Sequence, residues 1–222
     1  MRRTIWLPRL LEALLPIAAV LLAFAIGAVL LWTLGENPLD AYWTLVSGAF
    51  GSVAGLTATL TKMTPLLLVG LGVCISFRGG VINIGGEGQL IVGALAATAA
   101  GLALRDWPGW LLLPICLLAG ALAGGAWGGI AGVLKARLNV NEILSTVMLN
   151  SIAFQLMNWL LRGPLLDPAQ LAAGTHIPQT EALPESVWLT KLVPRTQLHT
   201  GIFLALARFG QHMRAIVRGR AI

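Results

Sequence analysis

Five apolar segments, at residues 11–34, 61–77, 88–104, 109–134 and 143–161, leave this chain few folds to choose from. Each is close to the roughly 17–25 residues that an α-helix needs to cross a hydrocarbon core about 30 Å thick. Backbone amides that face lipid find no water, so helices, which satisfy them internally, are expected. Strands of a membrane barrel run about ten residues and alternate in polarity, which these segments do not. A sixth apolar run begins near residue 198 but holds only from Gly201 to Ala207. The expectation is an all-α integral membrane protein: a polytopic helix bundle of five full spans, with the last run as a short sixth. Composition agrees, because 57% of the 222 residues are hydrophobic and only 11% charged, against about 25% charged in a soluble domain. The mean hydropathy of +0.81 points the same way.

The formal charge of +6 is a topology signal. Alternating the spans from a cytoplasmic N-terminus puts ten basic residues inside: Arg2, Arg3, Arg9, Arg78, Lys135, Arg137, Arg208, Arg214, Arg218 and Arg220. Five fall outside: Lys62, Arg105, Arg162, Lys191 and Arg195. This asymmetry follows the positive-inside rule, and Trp32, Trp107, Trp110 and Trp159 fall near the outer boundary where indoles settle. The charge therefore calls for no nucleic acid. Met1-Arg2-Arg3 resembles the start of a signal peptide, but the run behind it is too long and lacks a cleavage site after Leu34. A retained first span is expected.

No catalytic residues are indicated. Cys74 and Cys116 lie in apolar spans without a CxxC, and His176, His199 and His212 are scattered with no metal-ligand spacing. No metal site is expected. Residues 35–60 are too polar for a span and too apolar for a free loop, which predicts a short helix along the outer surface. Residues 162–197 contain Pro164, Pro168, Pro178, Pro184 and Pro194, which predicts an external loop with short pieces of structure. No repeat or break divides the chain, so residues 1–222 are expected to form one transmembrane domain. In the fourth span Gly120, Gly124, Gly128 and Gly132 recur every four residues. Such a bare face lets helix backbones approach closely in lipid, and packing is expected there rather than a pore lining.

Two polar clusters interrupt the apolar pattern. The first is "FRGGVINIGGEGQ", where Asn83, Glu87 and Gln89 sit among Gly79, Gly80, Gly85, Gly86 and Gly88. Together the glycines predict a broken helix near residues 78–88, with a new helix starting at about Glu87. There is no GxxxxGK, and no strand precedes the glycines, so a nucleotide loop is excluded. Glu87 either favours the positive end of the new helix or lines a transport path at the break. The second cluster is "NVNEILSTVMLNSIAFQLMN", residues 139–158. Asn139 with Glu142 three residues on reads as an N-cap and its acid. Glu142, Thr146 and Asn150 then share one face, with Ser145 beside them. Hydroxyls there can bond their own backbone, whereas Asn150 serves either an interhelix hydrogen bond or a solute.

The stretches "FRGGVINIGGEGQLIVGALAA" and "NEILSTVMLN" resemble the paired signatures of permease subunits in bacterial ATP-binding-cassette importers. The nucleoside and simple-sugar branch, related to the branched-chain amino-acid permeases, is the nearest. The resemblance is close over about residues 60–160. It implies a multi-pass protein of the bacterial plasma (inner) membrane with a cytoplasmic N-terminus. It also implies a second permease subunit, two cytoplasmic ATPase subunits that use ATP, an extracellular solute-binding protein, and no cofactor in this chain. The solute path would run past Asn83, Glu87, Gln89, Thr146 and Asn150. The tail "RFGQHMRAIVRGRAI" resembles the basic segment that meets the ATPase, through Arg208, Arg214 and Arg218. It follows the sixth run early, so a C-terminally incomplete permease is expected, with five stable spans and residues 198–222 at a surface or poorly ordered. Two alternatives are a proton-coupled secondary carrier using Glu87 or Glu142, and a truncated permease that does not transport.

Overall fold

The structure is a computed structural model and describes residues 6–175 and 177–217. The described residues form α1 (Trp6–Thr33), α2 (Pro38–Phe50), α3 (Val53–Arg78), α4 (Gly86–Ala103), α5 (Gly109–Leu138), α6 (Glu142–Arg162), α7 (Pro168–Ala172) and α8 (Gly201–Val217), with a 3-10 turn at Glu185–Val187. Among the described residues the only extended pairing is one isolated bridge between Lys191 and His199. Five helices are long and apolar enough to cross a membrane: Leu14–Thr33 within α1, and α3, α4, α5 and α6 entire. The helix breaks between Arg78 and Gly86, as the glycines predict.

Three local expectations need correction. Residues 35–60 are not one surface helix. Asn37 caps α2 by accepting from the Leu39 amide at 3.0 Å, and α2 ends where Gly51 N–H donates to the Ser47 carbonyl at 2.7 Å. Ser52 Oγ then accepts from Gly55 N–H at 3.0 Å, so α3 starts at Val53, ahead of the predicted span at 61. The threonines that made this stretch look too polar are satisfied locally. Thr44 Oγ1 donates to the Asp40 carbonyl at 2.8 Å and Thr57 Oγ1 to that of Val53 at 2.8 Å, the usual accommodation of hydroxyls in membrane helices.

The second correction is the cap of α6. Asn141, not Asn139, accepts from the amides of Ile143 and Leu144, at 2.9 and 3.3 Å. Asn139 instead ends α5 in the left-handed region at φ 50°. Its N–H donates to Lys135 O at 3.1 Å and that of Val140 to Leu134 O at 3.3 Å. Asparagine tolerates that conformation better than most residues, and the two helices compete for the same short turn. Glu142 does not reach back to a cap. It pairs with Lys135 across the turn at 2.7 Å.

The third concerns the tail. A helix continues through Arg208 to Val217, with Leu198, Ile202 and Ala205 buried. At 17 residues it is about 26 Å long, and it is not among the five candidate spans. Apolarity is lost after Ala207, but helical backbone is not, because the polar side chains that follow lie along the helix without interrupting its hydrogen bonds.

Residue contacts divide the chain into two compact units, up to Thr59 and from Leu60. In the first, α1 and α2 meet where Tyr42 Oη donates to the Phe24 carbonyl at 2.6 Å. The two rings stand edge to face, their centroids 5.2 Å apart. In the second, α4, α5 and α6 form a three-helix bundle whose tightest seam is α4 against α5. A side chain at Gly93 would meet the Gly120 carbonyl oxygen at 2.9 Å, and one at Gly124 would meet that of Gln89 at 2.9 Å. At the other end of the seam Leu112 and Cys116 pack with Val187. The proline-rich loop thus carries its apolar residues back onto the bundle, and Arg105 pairs with Glu181 of that loop at 3.3 Å.

Close approach at the seam makes the glycines unequal. Gly93→Val overpacks it and should cost about 1–3 kcal/mol, lowering the thermal midpoint of the detergent-solubilised protein by roughly 2–4 °C per kcal/mol. Gly132 has nothing within 4 Å of an added Cβ, so Gly132→Ala should leave the midpoint unchanged or slightly higher. Equal effects at the two positions would contradict this packing.

Candidate functional site

Breaking a helix inside a bundle exposes amides that its own first turn cannot satisfy. Gly85, the cap position of α4, has no side chain to accept from them. Two asparagines take over. Asn83 Oδ1 accepts from Gly85 N–H at 2.8 Å. Asn150 Oδ1, on α6, accepts from Gly88 N–H at 2.8 Å, while its Nδ2 donates to the Ile84 carbonyl at 3.1 Å. The carboxamide of Asn150 therefore clamps the break from a neighbouring helix. Gly88 has to be glycine for this. An added Cβ would lie 2.8 Å from Asn150 Oδ1, 3.1 Å from the Asn150 Cα and 3.1 Å from the indole nitrogen of Trp127. That indole N–H is buried with no partner among the described residues. Trp127 stands beside the bare face of α5, and the glycine pattern alone did not single it out.

The remaining predicted residues divide. Glu87 and Gln89 are two positions apart on α4, about 200° around the helix, and open into different cavities. Gln89 and Asn83 line one of about 390 Å³ between α3, α4 and α5, together with Ser76, Gly120 and Gly124. Glu87 and Asn150 line another of about 300 Å³ with Ser151, Phe154 and Gln155. Thr146 lines neither. It is 2% exposed, and its Oγ1 donates to the carbonyls of Glu142 and Ile143 at 2.7 and 3.1 Å. Its methyl-bearing side packs at Gly85, where an added Cβ would come within 3.2 Å.

Among the small residues of α5, Gly120 and Gly124 meet α4 backbone, and Gly128 lies against the Gln89 amide, which a Cβ there would approach to 2.7 Å. Arg208 lines a cavity of about 520 Å³ with Leu71, Ile75, Gln211 and His212, while Arg214 is exposed. Arg218 lies outside the described residues. No group of three or more His, Cys, Asp or Glu residues that could hold a metal ion occurs among the described residues.

Residues 55–209 match the family model of the branched-chain amino acid transport system permease component. The chain belongs to that permease family. The permease is 38% identical over 198 residues to the guanosine ABC transporter permease protein NupP of Bacillus subtilis, an alignment covering 89% of this chain and 56% of that protein. It is 37% identical over 217 residues to the glucose ABC transporter permease protein TsgB13 of Haloferax volcanii, covering 93% of this chain and 55% of that one. With the nucleoside ABC transporter permease protein NupB of Lactococcus lactis it shares 28% over 200 residues, 88% of this chain and 54% of that one. The permease thus spans about half the length of the curated relatives it matches. No solved structure matches it significantly. With five apolar helices and this family, it is a multi-pass membrane protein.

The Asn150 clamp makes a measurable prediction. Asn150→Ala strips the acceptor from Gly88 and the donor from Ile84. An unmade hydrogen bond at a group shielded from water costs about 1–3 kcal/mol. Amide exchange at Gly88 should accelerate and the thermal midpoint should fall. Ser151→Ala, one residue on, should change neither. Unaltered protection at Gly88 in the Asn150 variant would show that the clamp contributes nothing.

Proposed function

We propose that this permease is the membrane subunit of an ATP-binding-cassette importer for nucleosides or simple sugars, and that it performs no chemistry on the solute. The single observation that carries the proposal is the polar break between α3 and α4, held inside an apolar bundle by Asn83 and Asn150. α3 and α4 are separate spans, but Gly86 stands against Val69, nine residues before the end of α3, so the non-helical link re-enters the bundle. Such backbone is tolerated where it is buried in protein or lines a cavity, as at the solute sites of transporters. Here cavities lie on both sides of the break, lined by Asn83 and Gln89 on one side and by Glu87 and Asn150 on the other. Guanosine, nucleoside and glucose permeases among the relatives support the solute class.

In this proposal a second permease subunit completes the path, and an extracellular binding protein delivers the solute. Two cytoplasmic ATPases drive alternating access, and ATP is used only there. α8 returns beside the inner half of α3, where Arg208 lines a cavity with Leu71 and Ile75, so Arg214, exposed on α8, with Arg208 and Arg218, would face an ATPase. The N-terminus is cytoplasmic in the bacterial plasma membrane. A single cysteine at Gln179 should then react with an impermeant reagent in intact cells, and one at Arg137 only after permeabilisation. The reverse pattern would invert the topology.

Glu87 gives the sharper functional test, since it makes no hydrogen bond among the described residues and its removal should spare stability. In the assembled transporter Glu87→Ala should reduce uptake at least about tenfold, roughly 1.4 kcal/mol or more, with normal amounts of protein in the membrane. Unimpaired uptake would remove Glu87 from the path. Uptake should also persist when an uncoupler collapses the proton gradient while ATP is maintained. Its loss would favour a proton-coupled carrier. Glu142 is a poor proton carrier in any case, being the first residue of α6 and paired with Lys135.

A further inference from the structure

The exposed face of α6 changes character halfway along. Its first half presents Leu144, Val147 and Met148, which are 58%, 46% and 57% exposed. Its second half presents Ser151, Gln155, Asn158 and Arg162. At 100° per residue these four fall within an arc of about 60°, the same arc that Leu144 occupies. The helix has not turned; the chemistry of one face has. Two cavities lie along this polar half, one of about 300 Å³ lined by Glu87, Asn150, Ser151, Phe154 and Gln155. The other, of about 480 Å³, is lined by Gln155, Asn158, Trp159, Arg162 and Gly163. They share Gln155, so together they make one groove from the clamped break to the end of the helix.

A helix end near the membrane surface accounts for part of this. Arg162 is the last residue of α6 and a long cationic side chain there reaches water. It does not account for Gln155, which lies seven residues, or about 10 Å, deeper along the axis. Nor does it account for Asn150 and Glu87 beyond it. Among the described residues the carboxamides of Gln155 and Asn158 make no hydrogen bond. Amide groups facing lipid would be costly and are usually turned toward a cavity or a partner. The second half of this face therefore borders something polar, while the first half keeps the surface expected of lipid or of an apolar neighbour.

We propose that the groove from Glu87 to Arg162 along α6 is the solute-facing wall of the translocation path. In it the carboxamides of Gln155 and Asn158 hydrogen-bond a neutral polyhydroxylated solute. This rests on the permease reading above. A carboxamide offers both a donor and an acceptor, which is what a hydroxyl-bearing ligand requires. The groove's two charged groups, Glu87 and Arg162, are opposite in sign and stand at opposite ends. Between Ser151 and Asn158 the stripe carries no charge, which suits a neutral solute better than an ionic one. The combined space falls within the few hundred to 1,000 Å³ usual for small-ligand sites. The cavity lined by Asn83 and Gln89 becomes, by contrast, an internal space between α3, α4 and α5 rather than the route.

The test uses the assembled transporter with Cys74 and Cys116 replaced by alanine and single cysteines placed at Gln155, Asn158 and Ile152. An impermeant, charged thiol reagent should modify the first two at least tenfold faster than the third, and a transported nucleoside or sugar should slow both reactions. Gln155→Leu and Asn158→Leu should each raise the KM of uptake about tenfold, with the maximal rate within about twofold. Labelling at Gln155 and Asn158 no faster than at Ile152 overturns the proposal, as does an unchanged KM in both leucine variants. Fast labelling that no solute slows also overturns it, leaving a water-filled face that solute does not touch. Absence of nucleoside and sugar uptake in the transporter with its native cysteines counts against the importer function, and slowing of labelling at Gln155 and Asn158 by a nucleoside or sugar would then still support the groove as a solute-facing wall.

Discussion

A helix cannot be interrupted in an apolar environment unless something replaces the hydrogen bonds it gives up, since each unmet backbone group costs several kcal/mol there. In this permease that replacement is Asn150. Its carboxamide accepts from Gly88 N–H in the first turn of α4 and donates to the Ile84 carbonyl just before it, so one side chain satisfies both polarities of the broken backbone. The cap comes from 62 residues away, which couples the position of α6 to the existence of the break. α4 could not start where it does without α6 beside it.

The glycines follow from that constraint. If an asparagine on α6 is to reach the first turn of α4, no side chain can stand between them, and Gly85 and Gly88 are both buried. Once α4 sits that close to α6, the Trp127 indole closes the junction from α5. The remaining contact of α4 with α5 is then made backbone to backbone through Gly93, Gly120 and Gly124. Membrane helices have little hydrophobic drive to associate, so dispersion and close backbone approach must hold them. The glycine-rich composition here is what lets a polar clamp and tight van der Waals contact operate in one three-helix junction.

How far this was legible in the sequence depended on range. The spans, the break and the bare face of α5 are all consequences of local composition and period, and each is visible in a short window. What the sequence did not decide was competition between neighbours. Asn139 and Asn141 both suit a helix terminus, and the spacing to Glu142 favoured the wrong one because the end of α5 claimed Asn139 first. Residues 35–60 count as too polar for a span because composition does not show that Ser52 starts a new helix or that the Thr57 hydroxyl bonds that helix itself. The docking of Leu183 and Val187 against α4 and α5 is tertiary, and nothing in a proline-rich loop announces it. The polar stripe of α6 was missed differently. The count at i, i+4, i+8 stopped at Asn150, and carrying it on from Ser151 by four, three and four residues would have found Gln155, Asn158 and Arg162.

The two kinds of polar residue in this bundle separate by whether their hydrogen bonds are already spent. Asn83, Thr146 and Asn150 are among the residues that the resemblance puts on the solute path, yet each is engaged with backbone, Asn83 and Asn150 at the break and Thr146 within α6. A group so committed can bind a passing solute only by giving up a bond that the fold requires. The side chains of Glu87, Gln155 and Asn158 make no hydrogen bond among the described residues, so they can offer one without breaking another. A path that must bind weakly and release at every cycle is better lined by the second kind. In the proposed path the break is the scaffold and the uncommitted stripe beside it is the surface that meets solute. The polarity around Asn83 and Asn150 serves first to permit an architecture, since their hydrogen bonds are spent on the backbone of the break.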